Sequence, residues 1–512
     1  PDTLADILTY HVFSGEVDAA TAISLAGTTV EMVNGDALGL SLSGDNLLVN
    51  TATVITTNIM TDNGIIHVID AVLLPPTDMD TPTANIVETA VANGNFTTLV
   101  AALQATSLDA VLADESSTFT VFAPTDAAFA LIDQNMIAAL LSNTSLLSNI
   151  LLQHVVSGSE VDSVTAYSLN GVLVETASMA KVAVNINTNT DRLTFGGANI
   201  VMKDILTTNG IIHVIDAVIL GDAELPSSSM NLVEVASSNA SFSTLVSALQ
   251  ATGLDAILAN TDNDYTVFAP SDAAFEKLPA GTIESLTTEQ LTDILLYHVV
   301  PGNVLSDGAI SLSQSDANKA KTANGSDIAI SFVDAMLFAN GAKVSSANVL
   351  ADNGVIHVVD NVILPPAMMG TPTQSIVEVA LADLDNFSTL VTALTAANLV
   401  ETLADESATF TVFAPTNAAF AKIDAEVLSA LLADTEALTK VLLTHVVSDT
   451  QIGSLDAYAA NGKMLTTASE ANVDIGINAE TGMLKIGGAN VVISDVYTTN
   501  GVIHVIDTVI LK

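Results

Sequence analysis

The chain has 512 residues, a formal net charge of −45, a pI near 4.1 and only 12 Lys or Arg residues, none of them before Lys181. So few cations exclude a basic surface for phosphate groups, which argues against nucleic-acid binding, nucleotide enzymes and anionic membrane surfaces. The absence of cysteine excludes disulfides, thiolate catalysis and thiolate metal sites.

The first predicted elements carry a histidine each. His11 lies in the phrase LTYHVFSG, and His67 lies in NGIIHVIDAVLLP, which starts at residue 63. The stretch Asp62-Asn63-Gly64, where the second phrase opens, is typical of a two-residue hairpin, and the aliphatic run after it predicts a strand. Residues three apart on a strand point to opposite faces, so His67 and Asp70 cannot form a dyad or clamp one metal from this strand.

Both faces of this strand are apolar, which is typical of a central strand covered on both sides. A buried imidazole and a buried carboxylate need hydrogen-bond partners. We therefore predict that His67 and Asp70 are internal polar ties, satisfied by backbone or hydroxyl groups. The alternative is that His67 meets His11 across the core and holds zinc together with a carboxylate.

A helix and then a short strand are predicted next. Residues 95–113 read as helical, because apolar side chains recur there with the spacing of one helical face. TFTVFA, from Thr118, reads as a strand that Pro124 ends, and Thr125 is placed to cap the helix that follows. The next predicted helix carries His154, and the remainder of the unit is strand-rich, with GGAN at Gly196 predicting a hairpin or bulge rather than a phosphate loop.

Thr125 with Asp126 beside it also invites interpretation as a catalytic nucleophile. The corresponding phrases carry Ser271 in place of Thr125 and Asn417 in place of Asp126. A helix cap tolerates these changes, whereas catalysis would lose its acid, so the cap is preferred. The NTDND segment at 260–264 is interpreted as a surface turn, with a calcium contact as the alternative.

These phrases recur along the chain. All eight histidines fall two per unit, 143 to 147 residues apart, and VFAP-type phrases follow at 118, 264 and 409. The unit is therefore about 145 residues, the size of one domain. We predict four domains at 1–76, 77–221, 222–366 and 367–512, the first without its front part and the whole a window on a longer array. Proline-bearing segments at 75–84, 221–230 and 365–374 are expected to be semi-rigid spacers.

The three phrases together resemble the fasciclin (FAS1) domain. TVFAPTDAAF is similar to its first box, NGIIHVIDAVLLP to its second, and YHVV to its central Tyr-His segment, in the family's order and across essentially the whole chain. The resemblance implies tandem α+β domains, each a wedge-shaped β-sandwich core with packed α-helices. The tyrosine is present at Tyr10 and Tyr297 but is Gln153 and Thr444 in the other units, so the integrin binding of animal relatives is not carried over.

The function predicted from these features is non-enzymatic adhesion or matrix building outside the cell or at its surface, with a filament subunit as a sharper version. Partners are predicted to be other copies, a surface or matrix protein, or polysaccharide, and no nucleic acid, no membrane-spanning segment and no cofactor is expected. A polysaccharide-binding module is the alternative, weakened because tryptophan is absent and aromatics are 4%. The sparse cations suggest a microbe, here expected to be bacterial, and assembly that depends on salt or weakly on divalent cations to screen the charge.

No catalytic, cofactor-binding or metal-binding residue is assigned. The residues to which a structural role is assigned instead are His11, His67, Asp70, Pro124, Thr125, Asp126, His154, His213, Asp216, Pro270, Ser271, Asp272, His298, His357, Asp360, Pro415, Thr416, His445, His504 and Asp507.

Overall fold

The computed structural model describes residues 2–44, 46–76, 81–187, 190, 192–221, 223, 225, 228–315, 318–365 and 372–511. Its contacts divide the chain into two compact units. The first comprises Pro1–Ser228 with Leu305–Gln314 and Ser346–Leu350, and the second comprises Ser229–Val304, Ser315–Ser345 and Ala351–Lys512. Part of each predicted spacer lies outside the described residues, including the residue that follows each predicted boundary.

The first repeat is a five-stranded antiparallel sheet with strands in the order β1-β2-β3-β4-β5. Its elements are α1 (Asp2–Tyr10), α2 (Ala19–Ser24), β1 (Thr28–Glu31), β2 (Ala37–Ser43), β3 (Asn46–Val49), β4 (Ala52–Thr61) and β5 (Gly64–Ile69). Thr61 pairs with Gly64, which forms the predicted two-residue hairpin.

The second repeat begins with helices and ends with strands. Its elements are α3 (Ile86–Asn93), α4 (Thr97–Thr106), α5 (Leu108–Leu112), β6 (Phe119–Pro124), α6 (Asp126–Ala130), α7 (Gln134–Ser142), α8 (Thr144–Gln153), β7 (Val155–Ser157), α9 (Ser163–Ser168), β8 (Val172–Glu175), β9 (Lys181–Asn187), β10 (Arg192–Phe195), β11 (Ala198–Thr207) and β12 (Gly210–Ile215). The GGAN phrase supplies the tight β10–β11 turn, because Phe195 pairs with Ala198.

The third repeat follows the same order, with a 3-10 helix at Ala240–Phe242. Its other elements are α10 (Leu232–Ser238), α11 (Ser243–Thr252), α12 (Leu254–Leu258), β13 (Tyr265–Pro270), α13 (Asp272–Glu276), α14 (Thr282–Ser285), α15 (Thr288–Tyr297), β14 (Val299–Pro301), α16 (Ser306–Ser313), β15 (Lys319–Lys321), β16 (Asp327–Val333), β17 (Met336–Ala339), β18 (Ala342–Ala351) and β19 (Gly354–Val359).

The fourth repeat closely matches the second. Its elements are α17 (Ile376–Ala382), α18 (Leu384–Ala396), α19 (Val400–Leu403), β20 (Phe410–Pro415), α20 (Asn417–Phe420), α21 (Ala425–Ala433), α22 (Thr435–Leu443), β21 (Val446–Ser448), α23 (Ser454–Ala459), β22 (Met464–Thr466), β23 (Asn472–Ile477), β24 (Leu484–Ile486), β25 (Ala489–Thr498) and β26 (Gly501–Ile506).

The last three repeats share one seven-stranded sheet plan. In the second repeat the order is β7-β6-β12-β11-β10-β9-β8, and the third and fourth sheets repeat it with their own strands. The VFAP strand β6 runs parallel to β12, with Phe119 opposite Gly210, while β8 to β12 form an antiparallel meander. The predicted α+β class, with helices first and a mostly antiparallel sheet later, is confirmed.

Helices cover the sheets through apolar contacts. In the second repeat Leu99, Leu103, Leu147 and Ile150 pack with Val121 and Ile212 in one cluster. Hydrophobic burial of this kind stabilises by about 25 cal/mol per Å² of apolar surface. Among the described residues no single helix is long and apolar enough to cross a bilayer. One bent pair of helices, Gln134–Ser142 with Thr144–Gln153, has the length and apolar composition of a span when the two helices are taken together.

Two predicted elements differ from the structure. The single helix expected at 95–113 is two helices, α4 and α5, because Ser107 between them adopts a left-handed conformation with φ 60°. The strand carrying His67 was expected to be central. It is central in the complete repeats, but β5 itself lies at the edge of its sheet, because no VFAP strand pairs with it there.

Candidate functional site

The first histidine of each repeat stands at a helix end, where the main chain uses both ring nitrogens. In the second repeat His154 Nδ1–H donates to Ile150 O at 2.8 Å, and its Nε2 accepts the Ile219 N–H at 2.9 Å. His298 and His445 make the equivalent two bonds. Burial lowers the pKa of these three rings to about 4, partly offset by the bond to the carbonyl. Each neutral ring therefore clamps a helix end to the segment after the central strand.

The second histidine lies on that central strand and ties it to a distant loop. His213 Nε2–H donates to Val161 O at 2.8 Å, and Nδ1 accepts the Asp204 N–H at 3.3 Å. Phe122, on the neighbouring parallel strand, stacks on the imidazole with ring centroids 5.3 Å apart. Burial lowers the pKa of His213. The same carbonyl bond is made by His357 to Val304 and by His504 to Ile452.

The aspartate after the central strand pairs with the start of the strand beside it. Asp216 accepts the main-chain and side-chain N–H groups of Asn199 at 2.8 and 2.9 Å. Burial raises the pKa of Asp216 to about 6. In the fourth repeat Asp507 is less buried, and bonds from Asn490, Thr508 and Lys422 outweigh burial and hold its pKa below the usual value.

A lysine distinguishes the third and fourth repeats at this aspartate. Lys422 Nζ lies 3.4 Å from Asp507, and Lys277 Nζ lies 3.1 Å from Asp360, which also accepts the Lys343 N–H at 2.8 Å. The second repeat has Leu131 at the corresponding position of its VFAP phrase.

Thr125 caps α6 as the sequence predicts. Its hydroxyl accepts the Ala128 N–H at 3.1 Å, and Ser271 and Thr416 accept at 3.2 and 3.1 Å in their repeats. Pro124, Pro270 and Pro415 each end the strand before the cap. No acid–base partner is needed for this arrangement, because the hydroxyl is committed to the helix start.

Asp126 has a role that sequence reasoning missed. Its carboxylate accepts the Thr98 N–H at 2.8 Å and the Thr97 hydroxyl at 2.7 Å, so it caps the earlier helix α4 from a distance. Asp272 does the same with Ser243 and Thr244. Asn417 retains the essential bond, accepting the Thr389 N–H at 2.8 Å. The change from acid to amide is tolerated because both side chains present an acceptor oxygen.

Sequence reasoning also missed the asparagine of the Asn-Gly phrase. Asn209 is buried, accepts the Ile86 N–H at 3.0 Å and donates to Leu112 O at 2.8 Å, which joins two helices to the hairpin. Asn353 and Asn500 repeat both bonds. The recurrence of Asn in every Asn-Gly phrase could have indicated this role, but the asparagine was interpreted as a turn residue.

The first repeat presents the same residues in a more open setting. His11 Nδ1–H donates to Ile7 O at 2.7 Å and Nε2 accepts the Leu73 N–H at 3.0 Å. His67 Nε2–H donates to Val17 O at 2.8 Å, and Asp70 accepts the Thr53 N–H at 2.7 Å. Thus every histidine and this aspartate hold main-chain groups, but Asp70 is exposed rather than internal as predicted.

The zinc alternative is not supported by this geometry. His67 and His11 line one apolar cavity of about 420 Å³. Both nitrogens of His11 are engaged by the main chain, so that ring offers no lone pair to a metal. Within the described ranges, no group of three or more His, Asp or Glu side chains could hold a metal ion.

A second set of candidate surfaces joins the repeats within each unit, through the short helices α9, α16 and α23, which we call plug helices. In the first unit α9 packs on β2, where a Cβ at Gly39 would lie 2.7 Å from Val164 O. In the second unit α23 packs on β16, and the Ser331 hydroxyl donates to Tyr458 O at 3.1 Å. Small residues on the receiving strand let the helix backbone approach.

The first unit also contains a different junction. Plug helix α16 lies against what we call the GGAN socket, formed by Gly196–Asn199 and Leu220. The Asp307 carboxylate accepts the N–H groups of Gly221 and Leu220 at 2.8 and 3.2 Å. Gln314 Nε2 donates to Gly197 O. Burial raises the pKa of Asp307.

A short backbone pairing accompanies this junction. The Asp133 N–H donates to Ala347 O at 2.9 Å, and the Ala347 N–H donates to Leu131 O at 2.8 Å. Ile132 and Ala347 form a parallel β-bridge and are both buried. Two backbone hydrogen bonds and the buried side chain of Ile132 thus stabilise the junction in addition to the contact of α16.

Comparison with known proteins places these features in a family. The family model described as Fasciclin domain matches residues 1–75, 94–221, 240–365 and 385–512. Protein sll1483 of Synechocystis is 44% identical over 143 residues, 27% of this chain and 76% of that protein. Human periostin is 27% identical over 461 residues, 90% of this chain and 50% of periostin. Cell surface glycolipoprotein MPB83 of Mycobacterium bovis is 39% identical over 137 residues, 26% of this chain and 59% of that protein. The chain thus spans about half the length of periostin.

Proposed function

Because the chain belongs to the fasciclin domain family, we propose that it is a non-enzymatic adhesion or matrix protein that acts outside the cell or at its surface. The proposal includes the domain boundaries after residues 76, 221 and 366. Its partners are other copies of the chain, a surface or matrix protein, or polysaccharide, with no nucleic acid and no cofactor.

The observation that carries this proposal is that the histidine and aspartate side chains of the motifs hydrogen-bond to groups of the fold. The buried histidines hold one carbonyl and one N–H each, and the aspartates hold N–H groups at strand and helix starts. A general base needs a free lone pair beside substrate. The lone pairs of the buried imidazoles are used inside the repeat, so we assign binding to the outer surface of the repeat.

The arrangement of repeats supports adhesion. Within each unit a plug helix of one repeat packs on the preceding repeat. The surfaces of adjacent repeats are therefore held side by side. Weak sites held in a row bind far more tightly than one site alone. The name of one relative describes a cell surface glycolipoprotein, which supports the proposed location.

The test is retention of coated beads. Beads carrying the full chain are passed over immobilised extracellular matrix protein, immobilised polysaccharides and albumin, in high salt and in low salt with chelator. Adhesion function predicts retention on matrix protein in high salt, at least about tenfold above albumin. Retention on one polysaccharide alone would make the chain a polysaccharide-binding module, and retention on none of the surfaces would overturn the proposal.

A further inference from the structure

We propose that the core of the fourth repeat holds a binding site for the end of a neutral aliphatic chain. Three features of that repeat carry this site: an apolar cavity, the hydrogen bonds that engage the polar side chains around it, and residues at its opening that differ from those of the second and third repeats. Binding at this site is a function beyond adhesion and does not depend on it.

The cavity lies inside the fourth repeat and has a volume of about 80 Å³. Residues of helices α17, α18 and α19 line one side of it, and residues of β20 and β26 line the other. The buried part of the lining includes Ala380, Leu394, Leu403 and Ile503. An apolar cavity of ~150 Å³ takes up benzene. A cavity of about half that volume fits the end of an alkyl chain better than an aromatic ring.

The polar side chains of the lining are already engaged by the fold. Among the described residues these side chains are Thr395 and His445. The Thr395 hydroxyl donates to Val391 O at 2.7 Å. The two ring nitrogens of His445 bond to Val441 O and to the Ile510 N–H. A buried water needs two to four polar partners, whereas an apolar cavity stays dry and accepts apolar molecules. The lining therefore favours a hydrocarbon over water.

The cavity opens to the surface beside α17, α18 and α19. Leu381 lines the cavity and is 48% exposed. Val391 and Val400 also line it and are half-buried, and Thr395 is exposed. We call these four residues the rim. Because three of them are aliphatic, a chain end can enter the cavity without passing a charged group.

The rim of the fourth repeat has lost two polar side chains that the second and third repeats share. Those repeats have a glutamine and an aspartate at the corresponding positions, which are Gln104, Asp109, Gln250 and Asp255. The fourth repeat has the shorter Thr395 in place of the glutamine and Val400 in place of the aspartate. A long amide and a charge are thus absent from the rim of the repeat that contains this cavity.

The replaced aspartate has a structural use in the other repeats. Asp109 and Asp255 lie in the first turns of α5 and α12, where a negative charge interacts favourably with the helix dipole. In the fourth repeat the acid in the first turn of α19 is Glu401, which is exposed and follows Val400. The helix therefore keeps a favourable charge at its start, while the residue that lines the cavity is apolar.

The charges around the rim favour a neutral ligand. Glu378 and Glu401 each adjoin a lining residue in the sequence, and the chain has a net charge of −45. These carboxylates disfavour a ligand that carries its own carboxylate, most strongly at low ionic strength, where the Debye length is long. A neutral aliphatic chain can belong to a small alcohol or form the end of a longer acyl lipid such as a monoacylglycerol.

The test is a methyl NMR titration of the full chain with 1-butanol at low ionic strength. The signals of Ala380 and Leu394 should shift and saturate, with half-saturation on the order of 1–10 mM for so small a ligand. Butyrate, which has the same chain length and a carboxylate, should need at least about tenfold more. Equal affinity for butyrate would contradict the neutral character of the ligand. Signals from the larger cavity of the first repeat are resolved separately and do not count.

Two variants with the same added charge locate the site at the rim. Val400→Asp restores the residue type of the other repeats and should weaken binding by about tenfold or more, because it places a charge beside the bound chain. Thr402→Asp adds the charge at an exposed position of the same helix and should leave binding unchanged. Ala380→Leu fills the cavity and should abolish the shift at Leu394. The methyl spectra verify folding, and Val400→Asp decides alone if Ala380→Leu does not fold.

Monooctanoylglycerol, used below its micelle concentration, distinguishes the two sources of the chain. Half-saturation at least about tenfold below that of 1-butanol assigns the site to a longer acyl chain, and equal or weaker binding assigns it to small molecules. The proposal is overturned if neither probe gives a saturable shift at Ala380, or if Val400→Asp and Thr402→Asp bind 1-butanol equally well. Adhesion is measured independently by bead retention, which Val400→Asp should not change.

Discussion

The same six residues, GIIHVI, form β5 in the first repeat and β12 in the second, yet their surroundings differ. Every residue of β12 is buried, whereas β5 has no fully buried residue and its Ile66 is 51% exposed. β12 lies between β6 and β11, but β5 lies at the edge of its sheet. Identical local sequence therefore specifies a strand and its hairpin, while the neighbouring VFAP strand decides whether that strand is core.

The histidine shows the chemical consequence of this difference. His213 has its carbonyl partner, its N–H donor and an aromatic neighbour in Phe122. His67 keeps the bond to Val17 O, while its Nδ1 finds no partner among the described residues. The hydrogen bond to the carbonyl forms in both repeats, whereas the N–H donor and the aromatic neighbour are present only around His213.

The largest expected effect comes from removing the aromatic neighbour. Phe122→Ala should destabilise the second repeat by about 3–5 kcal/mol, because a buried ring that stacks on Phe195 and His213 is replaced by a cavity. Hydrogen exchange resolved by peptide should then show β12 opening at lower denaturant concentration. Phe13→Ala, at a partly exposed ring in the first repeat, is the control and should cost about 1 kcal/mol or less. Unchanged exchange in β12 would contradict the role assigned to Phe122.

The next largest effect is expected when the side chains of His213 and His67 are removed. His213→Ala leaves Val161 O and the Asp204 N–H without partners and should cost about 2–4 kcal/mol, whereas His67→Ala should cost about 1 kcal/mol. Denaturant-dependent hydrogen exchange of β12 and β5 measures both. Equal costs would show that the strand, rather than its neighbours, determines the value of the histidine.

Acid should destabilise the complete repeats unequally. The pKa values of His154 and His445 are lowered by burial to about 4, below the ordinary value of about 6.5 in the unfolded chain. Between these values the unfolded chain binds protons that the folded chain does not, so stability present above pH ~6.5 is lost as the pH falls, on the order of 2–3 kcal/mol per histidine.

Asp216 opposes this loss in the second repeat. Its pKa, raised by burial to about 6, makes the folded state bind a proton that the unfolded state lacks between pH ~4 and 6, so it adds stability as the pH falls. The fourth repeat, where the pKa of Asp507 is lowered, should therefore unfold at higher pH than the second. Exchange measured from neutral pH down to about pH 4.5, with first-repeat peptides as the internal reference, tests the order. The reverse order would contradict it.

The smallest effect concerns the cation that the second repeat lacks. Leu131→Lys should give Asp216 the partner that Lys422 gives Asp507, lower the pKa of Asp216 by about one unit and stabilise the second repeat by about 1 kcal/mol at neutral pH. Carboxyl carbon NMR titration reads the pKa, and Leu131→Met is the uncharged control. An unchanged titration of Asp216 would show that the lysine is not the cause of the difference.

Local turn and cap chemistry could be predicted because it depends on residues close in sequence. The Thr61–Gly64 hairpin, the Gly196–Gly197 turn and the Thr125 cap all formed where predicted. The break at Ser107 was missed, because a non-glycine residue in a left-handed conformation carries no strong sequence signal. The edge position of β5 was missed because the prediction used only its apolar faces, although no VFAP phrase precedes it in this sequence.

Hydrogen bonds between residues far apart in the chain could not be predicted in detail from the sequence. That His213 needs a partner follows from its apolar neighbours, but that the partner is Val161 O does not. Asp126 was assigned to its own helix, although its carboxylate caps α4, 28 residues earlier in the chain. Such pairings depend on how distant elements pack, which local sequence does not encode.

The sequence by itself determined the repeat, the strand and hairpin around each histidine, and the helix caps, because each rests on the conformational preferences of a few neighbouring residues. The tertiary structure alone decided which main-chain groups the histidines hold and which surface each plug helix packs on. Those outcomes depend on surfaces built from residues far apart in the chain, where burial and hydrogen bonding are settled by packing.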